Sequence, residues 1–274
     1  MARIVITPDL GSAVAFDGAG VRLPKRERRH GSKRKQRIRR IAGEVSREEV
    51  WFLREASFAV TPGESVAVVG HQGSGREQLL RLAAGTLIPD EGTVRRSCPV
   101  IPVMNLGGAL SRGYTVRQNI YLVAGLLGML PDEIAARLPA IAERANVQKI
   151  LDKYLGDTSR AVRGRLAWSI AMATEARAFA IAGALVVGQP DFMRECWDIV
   201  EEMKADGVTF LVASDKPSEL IRFCDRALLL DSGTIVAQTT VADALDRLKL
   251  IEPPKDQVHF IVEESDDDDD EDLV

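Results

Sequence analysis

Three cysteines in 274 residues, at positions 98, 196 and 224, form no CxxC pair and no metal-like spacing. That excludes a disulfide-stapled scaffold and points to reduced, buried thiols. The three histidines are equally isolated, so the sequence offers no zinc set and no other metal site. Aromatics make up 5% of the chain, and the strongly basic stretch at 25–40 contains none. It therefore lacks the stacking platforms that single-stranded nucleic acid requires. A net charge of −4 gives no global electrostatic case for nucleic acid either. The longest apolar stretch, IYLVAGLLGML at 120–130, is about half of the ~20 residues that cross a bilayer, and reads as a buried helix. The N-terminal MARIVITPDLG lacks the basic-then-apolar layout of a signal peptide. A protein kept in the cytoplasm is expected.

What is present is globular: 46% hydrophobic and 28% charged residues. Residues 3–22 alternate apolar and polar positions with Gly and Pro breaks, suggesting edge strands. KRERRHGSKRKQRIRR (25–40) sets ten Lys/Arg against one Glu, either a solvated loop or a surface for anionic lipid. VWFLREASFAVTPGESVAVVG (50–70) reads as two strands joined by a Thr-Pro-Gly-Glu turn. The second, SVAVV, is apolar on both faces and suits a central, covered strand. From Val116 to about Ala176 the pattern is helical, with Leu127, Leu130, Ile134, Leu138 and Ile141 at three- and four-residue steps and Pro131 and Pro139 as punctuation. Strand signals return at 177–188, 208–215 and 226–238, with an amphipathic helix before Gly207 between the first two. Strands and helices alternating around a helical insert imply an α/β sheet with a helical subdomain. EESDDDDDEDLV at the C-terminus is too acidic and too poor in apolar residues to fold alone, and disorder is expected.

Between the SVAVV strand and the periodic REQLLRLAAGTL lies the loop of VVGHQGSGREQLL (68–80). Gly70, Gly73 and Gly75 hold the frame of a phosphate-binding loop, whose glycines turn backbone N–H groups toward phosphate at a helix N-terminus. The lysine and hydroxyl positions are Arg76 and Glu77. A guanidinium is a broad fork rather than a compact ammonium. A carboxylate ~4 Å from a phosphate, at an effective dielectric of ~20, meets roughly 4 kcal/mol of repulsion. The structural alternative for Glu77 is an ion pair with Arg81 one turn on.

FLREASFAVTPGESVAVVGHQGSGREQLLRLAAGTLIPDEGTV, DTSRAVRGRLAWSIAMATEARAFAIAGALVVGQPDFMRECWDIVEEM and FLVASDKPSELIRFCDRALLLDSGTIV follow one another as in an ATP-binding cassette (ABC) nucleotide-binding domain. The chain resembles that family from about residue 3 to 245, and is most similar to its polysaccharide and teichoic acid export branch. The resemblance implies an α/β fold: a P-loop NTPase-like ABC cassette with a mainly parallel core sheet, an antiparallel β subdomain and a helical subdomain. It implies a domain over 1–250, with helices about 114–176 and the basic insert at 24–41, followed by a C-terminal extension at 251–274.

It also implies which positions carried chemistry in the family. The phosphate-gripping Lys corresponds to Arg76 and the metal-ligating hydroxyl to Glu77. Ser74 lies inside the same loop. The glutamine-loop residue corresponds to Asn105. The Walker B Asp falls on Ala182, the catalytic Glu on Gly183, the D-loop Asp on Gln189, and the switch His, which meets the terminal phosphate, on Asp215. The signature Ser-Gly pair reads Arg160-Ala161 after Ser159. Trp51 stands where an aromatic stacks on adenine, or is a strand-packing residue. Phosphoryl transfer is mostly positioning and charge neutralisation, so the replacements imply a pseudo-ATPase. ATP or ADP would bind weakly through Trp51, Gly70, Gly73, Ser74, Gly75, Arg76, Glu77, Asn105, Ser159 and Arg160, without hydrolysis and without magnesium. The implied partners are an integral membrane permease of a glycan exporter docked near 105–130, a second copy or a competent paralogue, and an anionic membrane surface against 25–40. The alternatives are a slow ATPase compensated by Glu77 or Arg160, and a soluble cassette-fold scaffold without a permease.

Overall fold

The computed structural model describes residues 11–24, 49–104, 106–185 and 187–252. The basic insert, Asn105 and the acidic tail lie outside them.

Six strands form the main sheet, ordered β5–β6–β7–β3–β8–β9. These are β3 (Ser65–Val69), β5 (Val100–Met104), β6 (Ala178–Ala182), β7 (Thr209–Ala213), β8 (Arg226–Asp231) and β9 (Thr234–Thr239). The first five run parallel; β9 is antiparallel to β8, joined through Gly233 at φ +82°. All five residues of β3 are buried. Val66 and Val68 feed the core on one face of the sheet while Ala67 and Val69 feed the other, so an unbroken apolar run marks the centre of the fold.

A second, antiparallel sheet orders β2 (Glu49–Val60), β1 (Val14–Pro24) and β4 (Glu91–Arg96) as β2–β1–β4. Val14, Phe16, Ala19 and Val21 of β1 are buried, and register shifts interrupt its pairing with β2 between Phe16 and Arg22. The alternation at 14–22 belongs to one strand central to this sheet, not to an edge, because both neighbours are distant in sequence and local pattern is blind to them; residues 3–10 of the expected edge strands lie outside the described residues. Likewise β2 and β3 share a turn but not a sheet.

Helix α1 (Arg76–Ala84) follows the glycine loop, and its Leu79, Leu80 and Leu82 are buried between the two sheets. Residues 116–172 hold α2 (Val116–Leu126), α3 (Pro131–Arg144) and α4 (Arg160–Met172), which share a third core around Ile120, Ile141 and Leu166. Helix α2 starts at a reciprocal Thr115–Gln118 cap, and Pro131 opens α3, where the missing N–H costs nothing. Pro139 sits inside α3 rather than ending it. Helices α5 (Pro190–Ala205), α6 (Pro217–Phe223) and α7 (Val241–Leu248) complete the order, and their buried residues join the core on the other face of the main sheet. Gly207, at φ +78°, ends the turn after α5. No helix among the described residues is long and apolar enough to cross a membrane.

The cysteines are free. Burial pushes the thiols of Cys196 and Cys224 up to about 11 and about 12, leaving both inert. Cys98 is half-buried, a departure from the expectation that all three lie inside.

Candidate functional site

The parallel strands all point their C-terminal ends at one edge, where such sheets place ligands. Beyond β3 the chain makes a tight loop whose shape depends on glycine. A Cβ on Gly70 would lie 2.4 Å from the Ser74 hydroxyl and 2.7 Å from the Leu230 carbonyl. Gly75 has φ +99°, and a Cβ there would lie 2.3 Å from the Phe52 carbonyl. Inside the loop the Ser74 amide donates to the His71 carbonyl, and the Gly233 amide donates to the Ser74 carbonyl, both at 3.0 Å. The Ser74 hydroxyl is buried and has no hydrogen-bond partner. The loop closes onto the N-terminus of α1, so its free amides and the helix dipole favour an anion.

Arg76, the first residue of α1, is turned to one side. Its Nη1 and Nη2 both donate to Oδ1 of Asp215, each at 3.0 Å. The Arg76 side chain is 17% exposed and that of Asp215 is 87% exposed. Asp215 follows β7, which pairs directly with β3, and this adjacency brings two residues 139 apart in sequence into contact. The pair borders a cavity of about 290 Å³ that also touches Gly70, His71, Gln72 and Leu248. The His71 ring meets the Ile251 carbonyl at 2.9 Å, tying the loop to the segment after α7. Glu77 accepts from Arg81 Nε at 2.8 Å, the one-turn ion pair expected of it.

At the end of β6 the chain presents Ala182 and then Gly183. The Gly183 amide donates to the Ala213 carbonyl at 2.8 Å, its φ is +105°, and the space beside it is open. Behind these positions lies Glu219, a buried carboxylate on α6 that local pattern did not single out. It accepts from the Leu185 amide at 3.0 Å, the Ser214 hydroxyl at 2.9 Å and Lys216 Nζ at 3.1 Å. One side chain thus pins the segments after β6 and β7. In sequence it is one acidic residue among many at the start of an exposed-looking helix.

Trp51 lies one residue from the carbonyl that abuts Gly75. Its ring packs over Gly20, where a Cβ would approach to 3.0 Å. The guanidinium groups of Arg22 and Arg54 stand 5.1 and 5.3 Å from its centroid. Ser159 caps α4 by accepting from the Val162 amide, and Arg160 begins that helix; both are exposed. The structure unites Gly70, Gly73, Ser74, Gly75, Arg76 and Asp215, with Trp51 alongside.

A family model described as "ABC transporter" matches residues 53–181. The ABC transporter protein AbcA of Aeromonas salmonicida is 34% identical over 186 residues, covering 68% of this chain and 60% of that protein. The O-antigen export system ATP-binding protein RfbB of Klebsiella pneumoniae is 32% identical over 180 residues, covering 66% of this chain and 73% of that protein. The chain belongs to the ABC transporter family, as an ATP-binding domain. A solved structure described as the ATP-binding subunit of an ABC transporter superposes with a TM-score of 0.66 at 17% identity, covering 90% of this chain and 98% of that one, which bears on the fold. The chain spans about 60% of the length of AbcA.

In this ABC domain the glycine loop presents its backbone at a helix N-terminus, and its cation, Arg76, is engaged by Asp215. Among the described residues, Ala182 and Gly183 supply no side-chain oxygen and Glu77 is engaged by Arg81.

Proposed function

We propose that this ABC domain serves a glycan exporter as a non-hydrolysing subunit that docks on a membrane permease. One observation carries the reading. At the sheet edge the ends of β6 and β7 bear Ala182, Gly183 and Asp215, and the last of these is ion-paired to the Arg76 of the phosphate loop. Hydrolysis needs a polarised water and neutralised charge on the transferred group. Ala182 and Gly183 offer neither a general base nor a metal ligand, and the carboxylate of Asp215 is engaged by Arg76, while the loop that would seat a nucleotide weakly persists. The likeness to an O-antigen export protein supports the substrate class.

Docking has its own support. Tyr114, Tyr121 and Tyr154, all the tyrosines of the chain, are exposed on the helical part, with Leu126 and Leu130 exposed beside them. Aromatic side chains of this kind anchor protein interfaces. The second half of the cassette pair is a copy of this chain or a competent paralogue, and the ten Lys/Arg of the sequence at 25–40 supply the charge that an anionic bilayer attracts.

The test is extraction of the native complex in mild detergent, identification of each co-purifying chain, and measurement of phosphate release. An integral membrane protein with a permease-type sequence should co-purify, and this chain alone should release no phosphate above background. Turnover at transporter speed overturns the reading. Turnover abolished by Glu77→Ala would favour the slow ATPase, and a complex without any membrane protein would favour the soluble scaffold.

A further inference from the structure

The sheet order gives the phosphate loop two distinct flanks. On the β8 side stand Trp51 and the Phe52 carbonyl, which abuts Gly75 and lies 3.1 Å from where a Cβ of Gly233 would be. On the β7 side stands Asp215, holding Arg76 through two 3.0 Å hydrogen bonds. A nucleotide whose base lies toward Trp51 therefore runs its phosphate chain across the loop amides toward Asp215. The first two phosphates meet backbone N–H groups and the helix N-terminus. A third would reach the carboxylate.

We infer that Asp215 is a specificity-determining residue that stands in for a terminal phosphate, so that the loop takes a nucleoside diphosphate and disfavours a triphosphate. This rests on the reading that the loop still binds a nucleotide. Arg76 bonded to Asp215 already has its anion, and the cavity beside the pair, bounded by Gly70, His71 and Gln72 and by Ser214 and Leu220, lies on the Asp215 flank of the loop. A diphosphate uses the loop amides on the other flank while the ion pair stays intact. A triphosphate has to take Arg76 from Asp215 and then sit beside the freed carboxylate, so that its added charge meets a like charge. The exposure of Asp215 screens the repulsion, so the expected discrimination is moderate.

The experiment is titration calorimetry of the full chain in EDTA with ADP, with ATP and with the non-hydrolysable β,γ-imido analogue of ATP. Native protein should bind ADP at least tenfold more tightly than either triphosphate, about 1.4 kcal/mol. Asp215→Asn, which keeps the shape and removes the charge, should bring the ratio within threefold by tightening the triphosphates. Arg76→Ala should leave ADP within about threefold, because the diphosphate does not draw on the guanidinium. Thermal melts of the variants check that each is folded. Triphosphates binding as tightly as ADP, a ratio unmoved by Asp215→Asn, or no measurable binding of either nucleotide overturns the inference. The outcome is separable from that of the functional reading: phosphate release speaks to hydrolysis, whereas the calorimetric ratio with the imido analogue is independent of turnover.

Discussion

The phosphate loop and the strand ends beside it occupy one edge of one sheet, yet they have different relations to side chains. The loop is made of backbone, and its geometry is enforced by close packing: the Leu230 carbonyl and Ser74 crowd Gly70, and the Phe52 carbonyl crowds Gly75, until nothing larger than hydrogen fits. The ends of β6 and β7 are made for side chains, and there the side chains are methyl, hydrogen and a carboxylate turned toward Arg76. Geometry held by packing persists because altering it disrupts the core. Residues at an open edge can change without structural penalty.

Two glycines, one in each region, probe this difference most strongly. Gly75→Ala combines a left-handed backbone with a collision against the Phe52 carbonyl, and should cost on the order of 3 kcal/mol. Gly183→Ala, at φ +105° but facing open space, should cost about 1–2 kcal/mol from backbone strain alone. Urea midpoints for the two variants measure the gap, and equal losses would break the comparison. Next in size is the support behind the strand ends. Glu219→Ala leaves the Leu185 amide and the Ser214 hydroxyl without their acceptor and should cost about 2 kcal/mol by the same measurement, with Glu219→Gln milder. A negligible loss would mean that the edge is not held by this side chain.

The far end of the same strands supplies a control. Glu64, just before β3, is paired with Arg226 of β8. Burial pushes its carboxyl up, but hydrogen bonds from Arg226 and Thr61 outweigh that and hold it below the ordinary 4.5. A folded-state value below the unfolded one gives stability that is complete above about pH 4.5 and is lost as the pH falls through the folded value. Glu64→Gln should flatten that acid limb by about 0.5–1 kcal/mol in denaturant midpoints taken at pH 3 and pH 7, without touching nucleotide binding. Smallest of all, Arg81→Ala removes the exposed partner of Glu77 and should shift stability by about 0.3–0.5 kcal/mol. Any larger change in nucleotide affinity would show that Glu77 faces the loop once freed.

Much of this edge was legible in the linear chain. The apolar SVAVV, the spacing of Gly70, Gly73 and Gly75 and the leucines of α1 announce strand, loop and helix, because each depends on neighbours within a few residues. The Glu77–Arg81 pair was legible for the same reason, being one helical turn apart. The central place of β1 was not, since its partners β2 and β4 lie tens of residues away. Nor was Glu219, whose three donors come from two strands' ends as well as its own turn.

By itself, then, the sequence determined the local devices and the missing chemistry: the glycine frame, Arg76 and Glu77 in the lysine and hydroxyl positions, and no carboxylate at 182 or 183. Only the tertiary structure decided what those residues do. It joined Arg76 to Asp215 across 139 positions, buried Glu219 behind the strand ends, and set Trp51 between two arginines. The physical reason is that periodicity and turn chemistry act over a few residues along the chain. Charge pairing and burial act over a few ångströms in space, and strand order alone brings distant residues that close.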